Sequence, residues 1–142
     1  MMDDIKEQSD SDLHVGIDFI DDEYGQLMAM LGALRQQSGE QGQEQRVRRK
    51  LLELDRFMRR HFDLEESILS KLDRDGYHYR RHSDAHNRIL HEFESICGGA
   101  GGKDFGISAQ FACLMEERIA EHLVIYDMEL ASLMKAANAA NV

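Results

Sequence analysis

Three pairs of potential metal ligands stand out in the chain: His61-x3-Glu65, His82-x3-His86 and His122-x4-Asp127. Imidazole nitrogen and carboxylate oxygen together make a transition-metal ligand set, one that suits iron held between helices. A residue and the one four places on share a helix face, one turn apart. Pairs of this kind on separate helices can converge on one point, so a helical scaffold is needed to carry them.

The sequence supplies that scaffold. It contains no proline, which removes the strongest helix breaker. Breaks fall instead at glycine clusters: SGEQGQ (38–43), Asp75-Gly76 and GGAGGKDFG (98–106). Between them lie four expected helices, over residues 16–37, 44–72, 77–97 and 107–137, with Ser108 as a candidate cap for the fourth. Residues 1–12 read as a polar N-terminal arm and 138–142 as a frayed tail.

Each expected helix carries an apolar seam in alternating steps of three and four. The first places Ile17, Ile20, Tyr24, Leu27, Leu31 and Leu34 there, and the second Val47, Leu51, Leu54, Met58, His61, Glu65, Ile68 and Leu72. The third gives Tyr79, His82, His86, Ile89, Phe93 and Ile96, and the fourth Phe111, Met115, His122, Tyr126, Leu130 and Leu133. Four such helices joined by short turns predict an all-α fold, an antiparallel up-down-up-down four-helix bundle.

Against these seams the polar residues become informative. Burying a carboxylate among leucines costs several kcal/mol unless something compensates it. For one histidine on an apolar face, a plain hydrogen bond is the better explanation. For four histidines and two acids on three helices, every member of an ion-free network would need a partner, and a bound metal becomes the stronger reading. His14, His78 and His91 fall outside the set as surface or rim residues. Met28, Met58 and Met115 fit packing rather than ligation. The acidic run Asp18, Asp21, Asp22, Glu23 reads as a solvated helix start.

Composition narrows the function classes. Hydrophobic residues make up 42% of the chain and charged residues 31%, a globular balance. With 17 Lys+Arg against 27 Asp+Glu, the formal charge is −10, which argues against nucleic acid and anionic membrane as partners. The N-terminus lacks the basic and apolar regions of a secretory signal. Cys97 and Cys113 have no CxxC spacing and read as reduced thiols of a cytoplasmic protein.

The segments VGIDFIDDEY (15–24), HFDLEE (61–66), GYHYRRHSDAH (76–86) and HLVIYD (122–127) together resemble the hemerythrins, with single-domain bacteriohemerythrins as the closest match. The resemblance covers roughly residues 13–134 and implies a hemerythrin-like four-helix bundle over 13–137. It implies two non-haem iron ions in an oxo- or hydroxo-bridged centre that binds O2 reversibly. By the same resemblance Glu65 and Asp127 bridge the irons, His82, His86 and His122 cap one, and His61 binds the other.

The chain departs from the family at Tyr24. The usual segment is Ile-Asp-x-Gln-His, whereas this chain reads Ile20-Asp21-Asp22-Glu23-Tyr24. Tyr24 has three readings: a tyrosinate ligand to ferric iron, a neutral phenol that hydrogen-bonds a bound oxygen species, or a filler that leaves one metal position open. Two function classes follow. The first is a di-iron protein that binds, senses or stores O2 or another small diatomic or anionic ligand. The second is a di-iron enzyme acting on peroxide, O2 or NO. Iron buffering is a weaker third. No pattern in the sequence specifies the oligomeric state.

Overall fold

In the computed structural model, which describes residues 13–37, 42, 44–99 and 108–140, every regular element is helical. The elements are α1 (Asp18–Gln37), α2 (Glu44–Leu72), α3 (Tyr77–Gly99), α4 (Ser108–His122), a π-helical turn (Leu123–Asp127) and α5 (Met128–Ala140). His122 and Met128 both keep right-handed helical torsions, so α4, the π turn and α5 run on as one helix. The protein is therefore an all-α four-helix bundle, with no strand among the described residues. In it α1 packs on α2 and α4, α3 packs on α2 and α4, and α5 packs on α2, which closes the ring around a shared core.

The helix ends follow from local chemistry. Gly16 sits at φ 87°, a conformation that costs a side chain strain, and a Cβ there would meet Lys135 Nζ at 2.8 Å. The ammonium of Lys135 is fixed close by, donating to the Val15 carbonyl at 2.8 Å. The Asp21 carboxylate accepts from the backbone N–H groups of Val15 (2.7 Å) and Gly16 (3.0 Å). Asp21 thus ties down the start of α1 rather than belonging to a solvated face, and α1 starts at Asp18 rather than at residue 16. At the α2–α3 turn Gly76 takes φ 74°, and Asp73 Oδ2 accepts from the Tyr79 N–H at 2.9 Å, satisfying a donor in the first turn of α3.

α2 has the bounds expected of it, and α3 and the last helix each run a little further, to Gly99 and Ala140. The N-terminal arm (1–12), the central glycine-rich segment 100–107 and residues 141–142 of the expected tail lie outside the described residues. Among the described residues no helix is long and apolar enough to cross a membrane.

The core fills the seams. Ile20, Leu27, Leu31 and Leu34 of α1, Leu54 and Met58 of α2, Met115 of α4 and Leu130 of α5 are almost wholly buried. Each such aliphatic side chain contributes roughly 1.5–3 kcal/mol on burial. Along α2 these residues flank a polar layer, with Leu54 and Met58 before His61 and Glu65, and Leu69 after them. Met28, Met58 and Met115 all pack into this core.

Candidate metal centre

The buried polar residues among those described are His61, Glu65, His82, His86, His122 and Asp127. α2 supplies His61 and Glu65, α3 supplies His82 and His86, and the fourth helix supplies His122 and Asp127. The first two pairs need only an α-helix, because i and i+4 share a face.

The third pair needs more. His122 and Asp127 are five residues apart, and five α-helical steps leave two side chains about 140° out of line. The π turn resolves this. The Met128 N–H bonds to the Leu123 carbonyl, a five-residue closure that widens the turn. Asp127 then takes the inward position and is buried, while Tyr126, expected on the seam, sits half-exposed. The Tyr126 ring instead stacks on His122, with centroids 5.2 Å apart and planes at 28°.

The donor atoms fall into two overlapping groups, each with all its members within 4.8 Å of one another: Glu65, His82, His86 and His122 in one, and His61, Glu65 and Asp127 in the other. Glu65 serves both through different oxygens. Its Oε1 lies 3.3 Å from His82 Nε2, 3.0 Å from His86 Nε2 and 3.7 Å from His122 Nε2. Its Oε2 lies 3.3 Å from His61 Nε2 but completes no hydrogen bond. Asp127 Oδ1 lies 3.0 Å from His82 Nε2 and 3.2 Å from His122 Nε2. Donors held about 2.0–2.2 Å from one ion, at right angles to each other, stand about 3 Å apart. Most of these spacings are of that size.

Two outer carboxylates make the case for a cation stronger. His61 Nδ1 donates to Glu23 Oε1 at 2.9 Å, and His86 Nδ1 donates to Glu66 Oε2 at 2.8 Å. A neutral imidazole carries one hydrogen, so each ring then presents a bare Nε2 to Glu65. Lone pairs facing one another at these distances repel. Either extra protons or a metal ion must lie between them, and outer-shell carboxylates are the usual means of orienting metal-bound histidine. Phe62 holds the His86 ring in place by stacking on it at 4.0 Å. These residues therefore fit a metal.

The titration of the ion-free site agrees with that balance. Burial alone would lower the His61 pKa, but the Glu65 carboxylate beside Nε2 outweighs it and raises the group to about 9. His122 is likewise opposed by burial and raised to about 10, by Asp127 and then Glu65. His82 is raised through Asp127 and Glu65, which outweigh its burial. Burial would raise Glu65, yet the four imidazoles that surround its carboxylate hold it well below the usual carboxylate range. The histidines take up protons where a cation is called for.

The other expected residues sort by position. Tyr24 is buried in the core at 2% exposure, on the turn of α1 that also carries Glu23. His78 pairs with Glu129, whose other oxygen accepts from Arg81 at 3.1 Å, and His78 is in neither donor group. His14 and His91 are exposed. Glu23 and Glu66 were not legible as site residues. Glu23 lay in an acidic run, Glu66 beside a stronger candidate, and the partner of each is on another helix.

No protein-family model, no curated protein and no solved structure matches the chain.

Proposed function

We propose that the protein is a non-haem di-iron protein of the hemerythrin type, which binds O2 or a related small ligand inside the bundle. The observation that carries this reading is Glu65, whose two oxygens face two separate donor groups. A mixed imidazole and carboxylate set favours iron over the softer metals that thiolates select. In this reading His82, His86 and His122 hold one ion, His61 holds the other, and Glu65 and Asp127 serve both. The same reading takes the helices as an antiparallel up-down-up-down bundle with residues 1–12 as an arm, in a cytoplasmic protein whose Cys113 thiol stays free.

Iron supplies the redox and ligand-binding chemistry. The chain's own residues do the rest. Glu23 and Glu66 fix the tautomers and ring orientations of His61 and His86. The apolar layer of Met58, Phe62, Leu69, Leu123 and Leu130 keeps bulk water out. The donor groups are unequal, with three imidazoles in one and a single imidazole in the other. With fewer protein donors, the poorer position would leave coordination sites for an external ligand.

Turnover of peroxide, O2 or NO is the second reading, favoured by Tyr24, a buried phenol on α1 where the resemblance calls for imidazole. A visible spectrum of the iron-loaded protein, with azide added, tests the main reading. An azide-dependent change together with reversible uptake of O2 supports it. Rapid, irreversible consumption of O2 or peroxide over many turnovers favours the second. A spectrum indifferent to azide, O2 and peroxide overturns both.

A further inference from the structure

His61 and His86 each give an Nδ1–H to a carboxylate, but His122 Nδ1 is buried with no hydrogen-bond partner. His122 is 4% exposed, and it forms part of the wall of a cavity of about 340 Å³ between α3 and the fourth helix. His122 Nε2 is turned toward Glu65 and Asp127, so Nδ1 is the ring nitrogen left for a partner outside that cluster. A buried donor left unpaired is costly, so the cavity calls for an acceptor.

The charges around the cavity say what kind. Arg118 is already engaged, with Nε donating to Glu92 Oε2 at 3.1 Å and Nη1 3.7 Å from Glu121. Arg88 is different. Its Nη2 donates to the Tyr126 hydroxyl at 3.1 Å, and no carboxylate pairs with it among the described residues. A guanidinium and a phenol thus stand together on the wall, beside the ring that stacks on His122. Glu92 and Glu121 share that wall and disfavour a dianion. Ala85, Ile89 and Ile125 supply an apolar surface.

We propose that this groove is a binding site for a small monocarboxylate with a short apolar tail. Arg88 and the Tyr126 hydroxyl hold the carboxylate head within reach of His122 Nδ1–H, and the tail lies on Ala85, Ile89 and Ile125. A ligand that accepts the Nδ1–H raises the basicity of Nε2, so occupancy of the groove tunes the centre. That tuning rests on the metal reading; the binding itself does not.

The test is a calorimetric titration of the full chain with sodium butyrate, n-butylammonium and 1-butanol, alongside methyl and imidazole NMR of the zinc-treated protein. Butyrate should bind saturably, shift the methyl signals of Ala85, Ile89 and Ile125, and move the His122 Nδ1–H resonance. Butylammonium should not bind. Arg88→Gln should weaken butyrate about tenfold or more, the worth of a charge-assisted hydrogen bond, and Tyr126→Phe should weaken it less. Both side chains lie toward the surface, and circular dichroism checks that the variants stay helical. Equal binding of 1-butanol, no saturable butyrate binding, or full affinity in Arg88→Gln would overturn the proposal. Metal content measured on the same samples keeps the two readings apart. Saturable butyrate binding by protein that takes up no metal on zinc or iron treatment would support the groove and count against the metal centre.

Discussion

Asp127 Oδ1 lies 3.2 Å from His122 Nε2, although the two residues stand five apart in the chain. The π turn of Leu123–Asp127 is what aligns them, and it also swings Tyr126 toward the rim. The alignment of this imidazole and carboxylate is therefore a property of a backbone defect, not of ordinary helix periodicity. Asp127→Ala should lower metal content. Moving the carboxylate one place earlier, in the double variant Tyr126→Asp with Asp127→Ala, should not restore it. Full metal recovery in the double variant, by elemental analysis, would mean that the π turn does not set the ligand position.

Glu66 and Glu23 orient two histidines without belonging to either donor group. Replacing such outer carboxylates typically costs about 10–100-fold in metal affinity. Glu66→Gln and Glu23→Gln should show losses of that order in chelator competition, with helix content unchanged. Glu66→Gln should act on the three-histidine position and Glu23→Gln on the other. Affinities within twofold of the parent protein would show that the hydrogen bonds do not tune the site.

Metal and protons compete for the same nitrogens, which sets a pH dependence. His61 and His122 are raised from an ordinary value of 6.5 to about 9 and about 10. A raised pKa in the folded state gives stability that is complete below the unfolded value and is lost as pH climbs through the folded one. Metal-free protein should therefore lose stability between about pH 6.5 and 10, while metal affinity rises across that range. Glu65, held low, works in the opposite sense. Its contribution is present above its ordinary value of 4.5 and is lost as pH falls through its folded value. Thermal melts of metal-free and metal-loaded protein test this, and a metal-free melting temperature that stays flat from neutrality to pH 10 would contradict it.

Much of the site was legible in the sequence, and the reason is geometric. His61, Glu65, His82 and His86 interrupt aliphatic seams at α-helical spacing, so their inward orientation follows from periodicity alone. The helices were equally legible, because glycine clusters and an absence of proline mark their limits. The π turn was not. It shifts the backbone hydrogen bonding around Leu123–Asp127 without leaving a composition signal, so Tyr126, a seam residue by periodicity, stands half-exposed instead. Glu23, Glu66 and Asp21 were hidden for another reason: each acts on a partner that periodicity cannot see, either across to another helix or back to a turn before its own.

Tyr24 distinguishes the possible states of the proposed single-histidine metal position. It is fully enclosed, so Tyr24→Phe keeps nearly the same core volume and should keep the helix content. If the phenolate binds ferric iron, the parent protein shows a broad visible charge-transfer band that Tyr24→Phe abolishes. Tyr24→His should then favour ferrous iron and make O2 uptake more reversible, because neutral imidazole leaves the metal less electron-rich than phenolate does. A parent spectrum without the band, and unchanged O2 behaviour in Tyr24→His, would reduce Tyr24 to a packing residue.

If the buried carboxylate of Glu65 joins two metal positions, the metal-to-protein ratio shows it. Protein loaded anaerobically with ferrous iron and freed of excess should hold two irons per chain. Under a chelator, the position with one histidine should empty before the one with three. Glu65→Ala should hold much less than one iron per chain. Glu65→Asp, which shortens the carboxylate but keeps it, should fall in between. An iron-free parent protein, or a Glu65→Ala variant that retains the full complement, would mean that Glu65 does not join two metal positions.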